Sequence, residues 1–129
     1  MRMTTDILVV DDDVAIRETL GEILVHEGYH VETAENAARA VELIRRGPAP
    51  HLMLLDLMMP VMSGWEFLEL AEEDPQLGDI PVLVVSAMSA PIASPDSHGG
   101  VKACLHKPLK LEQLLELVRR YAGNGSATH

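Results

Sequence analysis

Five polar residues carry the chemistry that this chain could perform: Asp11, Asp12, Asp56, Ser86 and Lys107. Asp11 and Asp12 follow the apolar run Ile7-Leu-Val-Val10, Asp56 follows Leu52-Met-Leu-Leu55, and Ser86 follows Val82-Leu-Val-Val85. Lys107 follows the short stretch Ala103-Cys-Leu-His106. Brought to one place, three carboxylates repel one another, by about 4 kcal/mol per pair at about 4 Å and an effective dielectric near 20. Such a group retains protons or holds a cation. A hard divalent ion with oxygen ligands, Mg2+ above all, accepts one or two carboxylates, keeps waters and bridges to phosphate. A lysine adds a fixed positive charge and a serine adds a hydroxyl donor. Cation, ammonium and hydroxyl around one carboxylate describe a phosphoryl-binding site. Asp56 is then the nucleophile, since carboxylates form acyl phosphates. Taken singly, Asp and Ser at strand ends are ordinary turn residues. The chemistry requires a fold that gathers all five.

The three apolar runs are too short for helices and apolar throughout, as strands buried on both faces of a parallel sheet are. Two weaker strands complete the set, His30-Val-Glu-Thr-Ala34 and Ala103–His106. Helical stripes lie between them: Ile16, Leu20, Ile23 and Leu24, stopped by Gly28; Ala37, Ala40, Val41 and Ile44, stopped by Gly47 and Pro48; Gly64, Phe67, Leu68 and Ala71, broken before Pro75; and Leu111, Leu114, Leu115 and Val118. Asp13 reads as the N-cap of the first helix, with no part in the site. Strands alternating with helices predict an α/β domain with right-handed crossovers. Five strands predict the flavodoxin-like, doubly wound order 2-1-3-4-5, with the weak strands at the edges. Sites in such sheets form beyond the carboxyl ends of the strands, where all five polar residues fall. A fourth helix is due between strands four and five. There Pro95 and Gly99-Gly100 predict a short or irregular one.

The chain has 129 residues, 47% of them hydrophobic, which is enough for one domain with a real core. Residues 1–122 are expected to form the domain and 123–129 a flexible tail. The four aromatics, Tyr29, Trp65, Phe67 and Tyr121, leave the core to aliphatic side chains and methionine. Twenty acidic against ten basic residues give a formal charge of −10, which argues against direct nucleic-acid binding and for a basic partner or a metal cation. The single Cys104 excludes an internal disulfide and a cysteine-based zinc site, and suits a reducing compartment. The first residues lead to an apolar run of only four, so neither a secretory signal nor a membrane span is read there, and a cytoplasmic protein is expected.

In order and spacing, Ile7-Leu-Val-Val-Asp-Asp-Asp13, Leu54-Leu-Asp-Leu-Met-Met-Pro60 with Gly64, Val84-Val-Ser-Ala87, and Gly100 through Lys107-Pro108 resemble the receiver domain of bacterial two-component response regulators. The resemblance runs from about Asp6 to Tyr121. It implies a phosphorylation switch in which a sensor histidine kinase or a phosphotransfer protein gives its phosphoryl group to Asp56. Asp12 and Asp56 would ligate Mg2+, Asp11 would help through water, and the backbone carbonyl of Met58 would be a further ligand. Ser86 would swing toward the phosphoryl oxygens and Lys107 would pair with them, a local charge event biasing a two-state element. The output would be binding of a downstream protein that the sequence does not name, with self-association into a homodimer as one option. The only chemistry implied is self-directed phosphoryl transfer and autodephosphorylation, with no membrane involved. Cys104 stands where the family usually has Tyr or Phe, at the switch position that normally changes rotamer with the hydroxyl residue. Met58 and Met88, two residues beyond Asp56 and Ser86, are read as apolar guards that hinder the water hydrolysing the acyl phosphate. No output domain is read after residue 122. The chain is either a single-domain regulator acting through protein contacts or a piece of a longer one.

Rival chemistries fit the residues less well. His26-Glu-Gly-Tyr-His30 matches the H-E-x-x-H zinc-protease pattern, but Gly28 lies between the histidines and His30 opens a strand. A flavodoxin-like redox module needs a phosphate-cradling first loop, and Asp11-Asp12-Asp13 would repel that phosphate. An Mg2+-dependent aspartyl phosphatase for small molecules usually has a second acid two residues after its nucleophile, where Met58 stands, and a cap over the substrate. A phosphorylation-independent pseudo-receiver remains as a binding-module alternative.

Overall fold

The computed structural model describes residues 5–59, 62–87 and 100–123. In chain order the elements are β1 (Ile7–Val10), α1 (Val14–His26), β2 (Val31–Ala34), α2 (Ala37–Arg46), β3 (Leu52–Asp56), α3 (Gly64–Glu73), the single turn α4 (Pro75–Gly78), β4 (Val82–Ser86), β5 (Val101–His106) and α5 (Leu111–Ala122). The strands form one parallel sheet in the order β2-β1-β3-β4-β5. This is the predicted order, with the weak strands at the edges. The segment predicted as a short or irregular helix, and the tail beyond Gly123, lie outside the described residues.

Apolar runs become strands here because each central strand needs a hydrophobic side chain on both faces. Leu8, Val10, Met53, Leu55, Val82 and Val84 face one way and meet Ala37, Ala40, Ile44, Phe67 and Leu68 of α2 and α3. Ile7, Val9, Leu52, Leu54, Leu83 and Val85 face the other way and meet Leu20 and Leu24 of α1 and Leu114 and Val118 of α5. The edge strands differ. In β2, Val31 is half-buried, Glu32 and Thr33 are exposed and only Ala34 is buried. β5 starts two residues before the expected Ala103, because the pairing with β4 resumes at Val101 beyond a register shift at the exposed Lys102, whose polarity hides the strand in the sequence.

Local chemistry sets the helix ends. The Asp13 carboxylate accepts the Ile16 N–H at 3.2 Å, as its position predicts. Gly28 adopts φ 103°, which turns the chain from α1 toward β2. This turn also decides the zinc-protease pattern. His26 ends α1, whereas His30 lies before β2 with Nδ1 3.5 Å from the Asp6 carboxylate, so the two histidines share no helical face. Loss of the cap in Asp13→Ala is expected to cost about 1 kcal/mol, read as a lower thermal unfolding midpoint.

Candidate functional site

The carboxyl ends of β1, β3, β4 and β5 open on one edge of the sheet, and the predicted residues meet there. Asp56 is the last residue of β3 and Ser86 the last of β4. Asp11 follows β1 directly, and its amide donates to the Ala34 carbonyl at the end of β2. Lys107 follows β5, and its amide donates to the Ser86 carbonyl at 2.8 Å. Strand pairing therefore sets the backbone of each group before any side chain is considered.

Asp11, Asp12 and Asp56 each place a carboxylate oxygen within 4.8 Å of the others. Asp11 and Asp56 are nearly inaccessible, at 2% and 4% exposure, while Asp12 faces solvent. The Lys107 ammonium lies 3.2 Å from Asp11 Oδ2 and 3.5 Å from Asp56 Oδ2, so one cation bridges the two buried carboxylates. Asp11 Oδ1 accepts the Asp13 amide at 2.9 Å, and Asp56 Oδ1 accepts the Met58 amide at 3.1 Å. Ser86 is wholly buried at the end of β4, the strand paired with β3. Hard oxygens from two buried carboxylates and one exposed one, open to solvent on the Asp12 side, are the donor set that suits Mg2+.

The electrostatics follow from burial. Loss of hydration pushes the Asp56 carboxyl up to about 6, the Met58 N–H pulls against this rise, the neighbouring Asp11 charge adds to it and Lys107 opposes it. Burial lowers the affinity of Lys107 for its proton, but the Asp11 and Asp56 charges outweigh this and hold it above the usual lysine value. At neutral pH the pocket thus holds a firmly charged ammonium and a carboxylate that burial makes a better base than ordinary aspartate.

Gly64 opens α3 with its amide on the Leu57 carbonyl, and a Cβ there would stand 2.5 Å from the Asp56 carbonyl oxygen and 2.8 Å from Leu57 Cα. The Ser63 and Glu66 side chains form a reciprocal cap on the same helix, readable as S-x-x-E in the sequence. The remaining predicted positions are Cys104, Met58 and Met88. Cys104 is a half-buried free thiol on β5, paired with Val84 in register and packed against the core on the α2–α3 face, where burial raises its pKa. Met58 is 56% exposed at the mouth of the pocket, and Met88 lies outside the described residues. The sequence gives little sign of one further residue at the site. Arg17, on the first turns of α1, folds its guanidinium back to the Asp11 carbonyl at 2.9 Å. An arginine on an amphipathic helix looks like a solvated one, and the only signal for it is its spacing from the acidic run.

Among the described residues, no helix is long and apolar enough to cross a membrane. The response regulator MprA of Mycobacterium sp. (strain KMS) is 40% identical over 121 residues, which cover 91% of this chain and 50% of that protein. Response regulator RR06 of Streptococcus pneumoniae serotype 2 is 47% identical over 83 residues, 64% of this chain and 36% of that protein. The chain spans about half the length of the MprA relatives it matches, and less of RR06. Among solved structures, a response regulator receiver protein from Pseudomonas putida is 30% identical with a TM-score of 0.82, covering 93% of this chain and 99% of that one. Response regulator TrrA of Thermotoga maritima, in complex with Mg2+-BeF, is 34% identical with a TM-score of 0.75, covering 92% and 99%. The family model described as the response regulator receiver domain matches residues 7–119. The five-stranded sheet, the acidic edge and this match agree, and the chain belongs to the response regulator receiver domain family of two-component signalling.

Proposed function

We propose that this receiver takes a phosphoryl group from the phosphohistidine of a sensor histidine kinase or phosphotransfer protein onto Asp56, with Mg2+, and so changes its surface for a downstream protein. The observation that carries the reading is the single ammonium of Lys107 bridging Asp11 and Asp56 beside a third carboxylate. A carboxylate oxygen of Asp56 attacks phosphorus, the P–N bond to the imidazole breaks, and the nitrogen keeps the bonding electron pair. The Met58 amide holds the other Asp56 oxygen and so orients the nucleophile. Lys107 pairs with the negative charge that gathers on the transferred group, and the Ser86 hydroxyl bonds one of its oxygens. Mg2+, held by Asp11, Asp12, Asp56 and the Met58 carbonyl, would neutralise charge on the incoming phosphoryl oxygens. An apolar groove lined by Ile16, Leu20, Ile23, Pro108, Leu109 and Leu114 shares Lys107 with the pocket, which gives a donor protein a place to dock beside the acceptor. With Cys104 at the switch position, the read-out proceeds without an aromatic rotamer change there.

Intact mass after incubation with a small acyl-phosphate donor and Mg2+ tests this reading. One added phosphoryl group, absent with EDTA, is expected, and no adduct under either condition would mark a phosphorylation-independent module. The exposed Met58 bears on how long the adduct lasts. With Asn at that position a polar side chain can orient water toward the acyl phosphate, so Met58→Asn is expected to speed autodephosphorylation several-fold, measured as decay of the adduct mass.

A further inference from the structure

Arg17 is the one positive side chain that reaches the acidic loop from outside the pocket, among the described residues. Its backbone amide belongs to α1 and donates to the Asp13 carbonyl at 2.9 Å. Its guanidinium returns past the helix N-terminus to the Asp11 carbonyl, also at 2.9 Å, in a partly buried hydrogen bond. The Asp11 carbonyl lies before the first hydrogen bond of the α1 ladder, which begins with the Asp13 carbonyl. It therefore has no partner within the helix.

The other polar atoms of Asp11 are already engaged. Its amide is on Ala34, one carboxylate oxygen is on the Asp13 amide and the other is on Lys107. The Arg17 bond completes the set and holds the Asp11–Asp12 peptide unit from its oxygen side. Asp12 is the exposed carboxylate of the pocket.

We infer that Arg17 is a positioning residue that aims Asp12 at the cation by fixing the Asp11–Asp12 peptide. The inference rests on the Mg2+ reading of the pocket and deepens it. A purely electrostatic role predicts the opposite effect. A guanidinium near a cation site repels the cation, so its removal would tighten Mg2+ binding. A positioning role predicts weaker binding on removal, because an outer-shell partner that orients a ligand is worth about tenfold or more in metal affinity.

The experiment is isothermal titration of Mg2+ into the wild-type chain, Arg17→Met and Arg17→Lys, with thermal unfolding of each in EDTA. The expected result is a Kd about tenfold higher for Arg17→Met and partial rescue by Arg17→Lys, whose ammonium can still donate to the carbonyl. An unchanged or lower Kd for Arg17→Met overturns the inference, as does a lower melting temperature in EDTA with the Kd unmoved, which would mark a structural role alone. If Arg17→Met does not fold, the Kd of Arg17→Lys decides: a rise of a few-fold supports positioning, and no rise overturns it. Absence of Mg2+ binding by the wild-type chain would instead overturn the reading of the pocket itself.

Discussion

Asp56→Asn is expected to abolish the phosphoryl adduct completely and, in metal-free buffer at neutral pH, to make the fold more stable. The first effect follows because the amide has no nucleophilic oxygen of carboxylate strength. The second follows from the pocket. Asn can keep the hydrogen bond from the Met58 amide while removing one of the two buried negative charges, and Lys107 keeps Asp11 as its partner. Burial lifts the Asp56 carboxyl from 3.8 to about 6, so between these values the folded chain binds more protons than the unfolded chain. Stability from this group is therefore fully present below pH 4 and is lost as pH rises through 6. A rise of that size corresponds to about 3 kcal/mol, an upper bound for a site open to solvent on one side. Urea denaturation at pH 4 and pH 7.5 checks it. Wild type and variant should be close at pH 4, and the variant should be more stable by about 1–3 kcal/mol at pH 7.5. A wild type equal to or more stable than Asp56→Asn at pH 7.5 without metal would show that the Asp56 charge is already compensated.

Gly64→Ala is expected to be among the most damaging single-methyl additions in this chain. Gly64 is buried, and both atoms that its Cβ would strike are backbone, the Asp56 carbonyl oxygen at 2.5 Å and Leu57 Cα at 2.8 Å. A flexible side chain could move aside, whereas here the whole turn from β3 into α3 must shift. The cost is about 2–3 kcal/mol of stability, the upper part of the range for overpacked sites. The movement acts on the peptide that follows Asp56, the proposed phosphoacceptor, so adduct formation should slow as well, with the protein still folded at low temperature. Denaturant unfolding and the rate of adduct formation measure the two effects. A folded variant with wild-type stability would mean that this turn has more room than the Cβ contacts indicate.

The central architecture was legible because its physics is local. Strands covered on both faces must be apolar at every position, so β1, β3 and β4 stand out as uninterrupted runs, and their sequence spacing leaves room for crossover helices. Once the strand order is known, strand ends supply the site, and Asp11, Asp12, Asp56 and Lys107 converge as that logic requires. Less legible features depend on contacts that have no period. β5 hides its first two residues behind exposed Lys102, and the α4 turn depends on Asp74 capping Gln76 and on Pro75 at its start. Asn36 and Ser63 are caps of the same kind as Asp13 and were readable by the same rule. Arg17 and Gly64 act through the geometry of backbone atoms that are far from obvious in a string of letters, and only the folded turn shows what each one touches.

The Lys107 ammonium and the Asp11 carboxylate are 96 residues apart in sequence, yet they meet at 3.2 Å. No fragment lacking β5 and the residue that follows it can make that contact. Freeing β5 from β4 would take the ammonium from between the two buried carboxylates and leave their charges uncompensated. The edge strand thus carries the charge balance of the pocket, while the carboxylates that could hold a cation stand at the ends of β1 and β3.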